Sequence, residues 1–287
     1  MGKQKATIRT FKEMKQKGKK ITMVTAYDYA MMSWVDKSDI DLILVGDSAA
    51  MTMLGYKSTV PIDLDTMLVF NQAVSRAGEH TFLVGDMPFM SYEVSTEKAV
   101  ENAGRIMKEG FMDAVKLEGG ERMAETVAAI VRAGIPVMGH IGLTPQSASQ
   151  LGGFTVQGKD FTSAKQIFKD ALALEEAGAF AILMEAIPAP LAKLITEKVQ
   201  VPTIGIGAGP YCDGQVLVIH DLLGLFDRFV PKFVKQYAKL GEEIQKALNT
   251  FAAEVRGGAF PAADHCFNMQ EEVVQQLTAA LQEEGLL

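Results

Sequence analysis

Apolar positions along the chain fall into two rhythms. Short runs of Ile, Val, Leu and Met without polar alternation recur at roughly 30-residue spacing, the mark of strands buried on both faces of a parallel sheet. They predict strands over 21–25, 42–45, 81–84 and 113–117, a fifth opening at 135–138, and further strands over 180–184, 201–206 and 215–219. Between them the apolar residues return every three or four positions. That period predicts helices over 10–17, 29–37, 65–78, 95–110, 121–133, 163–177 and 188–199, with C-terminal helices over 233–255 and 271–284. Asp28 and Ser95 stand where helix caps belong, and Gly110, Gly134 and Gly178 where helices stop. Eight strands alternating with helices give an α/β fold, a (β/α)8 TIM barrel, ahead of a doubly wound open sheet. The expected organisation is one barrel domain over 1–287, with an N-terminal lead-in at 1–20, additional C-terminal helices and a helical tail at 268–287. The loop at 48–61 is long enough to be functional, and the longest, 139–160, is expected to cover a site.

Four of the apolar runs end in an acid. Leu44-Val45-Gly46-Asp47 and Leu83-Val84-Gly85-Asp86 repeat one string, and the runs ending at Glu118 and Glu185 have the same shape. In a barrel the C-terminal strand ends share one rim, so these acids can meet there. Hard divalent cations take oxygen ligands, and Mg2+ commonly uses one or two carboxylates plus substrate and water. The competing reading is that each acid caps the helix after it. Lys116, the base within this pattern, has three readings: a carboxylate holder, a Schiff-base nucleophile, or a salt-bridge partner of a rim acid. Gly205-Ile206-Gly207-Ala208-Gly209 reads as a phosphate cradle or as a tight turn needing positive φ. His140 either reaches the site or is structural, the pair His220-Asp221 is expected to cap a turn after the eighth strand, and Met51 and Met53 belong to core or lid.

Composition narrows the partners. Acids outnumber bases 35 to 28, a net charge of -7, which argues against nucleic-acid and anionic-membrane partners; the lysines at 15–20 are a solvated cluster. Cys212 and Cys266 form no metal or disulfide pattern, which fits a reducing cytoplasm. No secretory leader and no membrane-spanning run is expected.

The ordered motifs resemble a family. They include Thr25-Ala26-Tyr27-Asp28, Leu44-Val45-Gly46-Asp47-Ser48, Gly85-Asp86-Met87-Pro88-Phe89 and Val115-Lys116-Leu117-Glu118-Gly119-Gly120. Gly139-His140-Ile141-Gly142-Leu143-Thr144-Pro145-Gln146, Glu185-Ala186-Ile187-Pro188, the 203–209 and 213–218 stretches and Pro231-Lys232-Phe233-Val234-Lys235 continue the series. From about residue 22 to 267 the chain resembles the ketopantoate hydroxymethyltransferases. The resemblance implies a cytoplasmic homodecamer that moves a hydroxymethyl group from 5,10-methylenetetrahydrofolate to the keto acid 3-methyl-2-oxobutanoate. The product is 2-dehydropantoate, on the route to pantothenate, formed through an enolate stabilised by Mg2+. It further implies Asp47 and Asp86 as Mg2+ ligands, with Glu118 near the metal. Asp47, Ser48, Asp86 and Lys116 would contact the keto acid, and Glu185 would accept the proton. Two departures stand out: Lys37-Ser38-Asp39-Ile40 replaces a Gly-containing turn, and Ala49-Ala50 replaces Leu-Gly. A related metal-dependent keto-acid lyase barrel and a non-catalytic metabolite-binding barrel are the alternatives.

Overall fold

The structure is a computed structural model that describes residues 5–287, so the first four residues of the expected lead-in lie outside it. Eight parallel strands close into a barrel in sequence order, β1 pairing with β8. They are β1 (Ile21–Thr25), β2 (Leu42–Val45), β3 (Phe82–Asp86), β4 (Ala114–Glu118), β5 (Val137–Gly142), β6 (Ala181–Glu185), β7 (Thr203–Ile206) and β8 (Gly214–Leu217). The helices of this part are α1 (Ile8–Gln16), α2 (Tyr29–Asp36), α3 (Ala49–Thr52), α4 (Leu64–Ser75), α5 (Thr96–Lys108), α6 (Ala124–Arg132), α7 (Phe161–Glu176), α8 (Ala189–Lys198) and α9 (Ile219–Leu222). The barrel expectation therefore holds, with residues up to Ala238 forming one compact unit. A second unit, Lys239–Leu287, carries α10 (Leu240–Gly257) and α11 (Glu271–Glu283).

Alternate residues of each strand point into the barrel. Ile21, Met23, Leu42, Leu44, Phe82, Val84, Ala114, Met138, Ala181, Leu183, Ile204 and Val216 form one buried cluster. Helix α1 closes it from below: Phe11 and Met14 are buried, and Phe11 meets Phe82 edge-on at 5.3 Å. Two residues further along the same inward columns stand Asp86, Lys116 and then Glu118, His140 and Glu185. The columns of β3, β4, β5 and β6 thus change from apolar to charged as they rise. A second buried cluster, including Ile43, Leu83, Val115, Leu117, Ile182 and Met184, faces the outer helices. Both faces of β2 to β6 are covered, so those runs are continuous rather than alternating, whereas β1 and β8 each expose one residue, Thr22 and Gln215.

Several boundaries differ from expectation. Asp86, Glu118 and Glu185 are the last residues of their strands rather than the first of a loop. The 48–61 loop contains α3, and β5 runs to Gly142, into the expected second loop. The eighth strand ends at Leu217, so His220 and Asp221 lie within α9. The helix expected from 233 begins at Leu240. Residues 233–239 follow a proline and contain Phe233, Val234 and Tyr237, whose ring or branched side chains favour helix only weakly. Asp28 and Ser95 cap α2 and α5, accepting from Met31 N and Lys98 N at 2.9 and 3.2 Å. Gly207 and Gly209 both have positive φ, which makes the glycine-rich segment a turn.

Asp36 ties the end of α2 to the start of β3. Its Oδ1 accepts from His80 N, Thr81 N and Thr81 Oγ1 at 2.9, 3.0 and 2.9 Å, and Oδ2 lies 2.7 Å from His80 Nδ1. Burial opposes the charge, but these bonds outweigh it and pull the carboxyl down to about 2. A depressed folded-state pKa contributes stability above the unfolded value of about 3.9, and that stability is lost as pH falls toward 2. Asp36→Asn is expected to cost about 2 kcal/mol in urea denaturation at pH 7. The gap from wild type should close between about pH 4 and pH 2.

Candidate active site

The parallel register sets the rim side by side. Asp86 pairs with Lys116, Glu118 with His140, and Glu185 with Gly142. Lys116 Nζ lies 2.7 Å from Asp86 Oδ1 and 3.9 Å from Glu118 Oε1, with Lys116 and both acids buried. His140 stands between two acids: Nδ1 is 3.4 Å from Glu118 Oε1, and Nε2 is 3.3 Å from Glu185 Oε2. Neither contact has the alignment of a hydrogen bond, so these are ion-pair distances. Glu185 is the most open of these groups, with 17% of its side chain exposed. Asp47 lies just beyond β2, and its backbone N–H donates to Asp86 Oδ2 at 3.1 Å. Ser48 Oγ lies 2.8 Å from the Tyr27 hydroxyl.

None of the four acids caps a helix in this structure. The cap positions before α3, α5, α6 and α8 are Ser48, Ser95, Met123 and Pro188. Sequence reasoning left His140 open; the structure places it at the centre. It missed Tyr92 and Gln146, which bond to the acids. Gln146 stood in a quoted motif, but nothing in its spacing showed that it reaches Asp47.

Electrostatics define the chemistry. Burial works against charge on Lys116, but Asp86, Glu118 and Asp47 outweigh it and hold the ammonium above its ordinary value. A Schiff-base lysine needs the opposite shift, so the nucleophile reading falls. Burial and Lys116 both disfavour charge on His140. Glu118 and Glu185 overcome them and push it up to about 9, so an imidazolium holds the two acids at neutral pH. Burial raises Asp86, and Asp47 and Glu118 add repulsion that Lys116 only partly offsets. Burial pushes Tyr27 up to about 12, so its hydroxyl keeps its proton.

Gly142 shows why the rim next to Glu185 needs a glycine. Its φ is +93°, and a Cβ there would clash with the Glu185 carbonyl oxygen. Leu143 N donates to that same oxygen at 2.9 Å.

The family model described as ketopantoate hydroxymethyltransferase matches residues 5–263. A 3-methyl-2-oxobutanoate hydroxymethyltransferase of Heliobacterium modesticaldum is 59% identical over 94% of this chain and 98% of its own. The chain belongs to the ketopantoate hydroxymethyltransferase family. Among solved structures, a phosphonopyruvate hydrolase matches over the whole of both chains with a TM-score of 0.60 at 14% identity. A 2,3-dimethylmalate lyase of the PEP mutase/isocitrate lyase superfamily matches with a TM-score of 0.56 at 12% identity, over 97% of each chain. At such identities the likeness is one of fold.

The donor set suits a divalent cation bound by few protein ligands. Among the described residues, no three His, Cys, Asp or Glu side chains form a metal cage. Protein donors already hold one oxygen each of Asp47 and Glu118, and both of Asp86. Four acids nevertheless share the rim with two cationic groups, Lys116 and His140, and Glu118 Oε1 is buried without a hydrogen bond. That excess of buried negative charge fits Mg2+ held by one or two carboxylates, with substrate and water completing the shell.

Proposed function

We infer that the rim performs the reaction for which the relatives are named: hydroxymethyl transfer to 3-methyl-2-oxobutanoate, with 5,10-methylenetetrahydrofolate as donor and 2-dehydropantoate as product. The observation that carries this reading is the Asp86–Lys116–Glu118–His140–Glu185 array, buried up to the more open Glu185, in a chain of this family. Asp47 and Asp86 would hold Mg2+, with Glu118 behind them. When bound, the ion supplies Lewis-acid polarisation of the keto oxygen. Lys116 holds the substrate carboxylate, with Ser48 beside it. Glu185 takes the proton from C3, with the imidazolium of His140 3.3 Å from its carboxylate.

A homodecamer in the cytoplasm, as the resemblance implies, completes the proposal. Cys212 and Cys266 are both free, in keeping with a reducing setting, and none of the described helices is long and apolar enough to cross a membrane.

The direct test is 2-dehydropantoate formation from the two substrates. Thorough chelation should abolish it and added Mg2+ restore it. Undiminished turnover after chelation would remove the metal from the reading.

A further inference from the structure

Gln146 spends all its polar side-chain atoms on the rim. It is the middle residue of a short 3-10 turn (Pro145–Ser147) after β5, and only 5% of it is exposed. Nε2 donates to Asp47 Oδ2 at 2.9 Å and to the Met87 carbonyl at 3.0 Å. Its backbone N–H donates to Glu118 Oε2 at 3.0 Å, and Oε1 accepts from the Tyr92 hydroxyl at 2.6 Å. The Tyr92 oxygen in turn accepts from Glu118 N at 3.2 Å.

The direction of this chain of bonds is fixed. Flipped, the amide would set its oxygen against a carboxylate and a carbonyl, which only accept. Burial, with Glu118 adding to it, keeps the Tyr92 proton on its oxygen, so Tyr92 remains a donor. A Lys or Arg in this place would orient Asp47 and cancel its charge. A neutral amide orients it and cancels nothing, and the bond to Glu118 comes from the backbone N–H.

We propose that Gln146 is a positioning residue whose side-chain amide fixes the carboxylate of Asp47 while leaving its charge for a divalent cation, and that Tyr92 fixes that amide. This rests on the reading of the rim as a cation site. Removing a group that orients metal ligands typically weakens affinity by about 10–100-fold.

The probe is Mn2+, titrated into the full chain and followed by electron paramagnetic resonance. Gln146→Leu should raise the Mn2+ Kd by about 10–100-fold. Tyr92→Phe should raise it less, and the double variant should be no worse than Gln146→Leu, because the two act through one amide. Asp36→Asn, which loses stability away from the rim, should leave the Kd unchanged. Saturable binding by wild type with the same Kd in Gln146→Leu and Tyr92→Phe overturns the positioning role and leaves the cation site standing. No saturable binding by wild type overturns the cation site, and the positioning role with it. Should Gln146→Leu fail to fold, Tyr92→Phe decides: an unchanged Kd overturns the proposal.

Discussion

Glu185→Gln should leave a folded barrel whose turnover falls by about 10²–10⁴-fold, the range for loss of a general base. The amide keeps the size of the side chain but cannot accept the C3 proton. The decisive measurement is exchange of the C3 proton of 3-methyl-2-oxobutanoate into D2O, read by NMR without the folate. Wild type should exchange it, and the variant should not, while keto-acid binding persists. Binding should survive because Lys116 and Asp86 lie on other strands, and Glu185 meets His140 rather than either of them. Exchange at the wild-type rate would assign the proton to another group.

Lys116→Met should strike both stability and binding. The ammonium is buried 2.7 Å from Asp86 Oδ1, and 3.9 Å from Glu118. Removing one partner of a buried pair leaves the other uncompensated, typically at about 3–5 kcal/mol. Methionine fills most of the volume, so the loss reports charge rather than a cavity. Urea denaturation at pH 7 should show this loss, and calorimetric titration should show that keto-acid affinity has collapsed. A loss under about 1 kcal/mol would mean that the carboxylates do not depend on Lys116 for their charge.

The repeated string shows how far the sequence could be read. Both copies of Leu-Val-Gly-Asp did lead to one rim, and the eight strands were legible from apolar runs alone. Yet the copies are not equivalent. Leu44 pairs with Val84, and Ile43 with Leu83, so the strings run one residue out of step. One residue turns every side chain to the opposite face. Leu44 joins the inner cluster, whereas Leu83 joins the outer one. Asp86 therefore points inward from within β3, and Asp47 reaches the same place from beyond β2. With both faces apolar, the runs carry no alternation to reveal which face is inner. Gln146 was hidden for a different reason: its bonds to Asp47 and Met87 close only when the β5 loop folds over the rim.

Helix α1, with Phe11 and Met14 set beneath Phe82, caps an interior that the inward side chains of the strands already fill, so the rim opens at one end only. Everything that reaches Lys116 descends past the acids and departs by the same mouth. A small reactant lying against that packed floor must then be first in and last out whenever a larger one lies above it, so the filling of the interior sets the order of traffic at the rim.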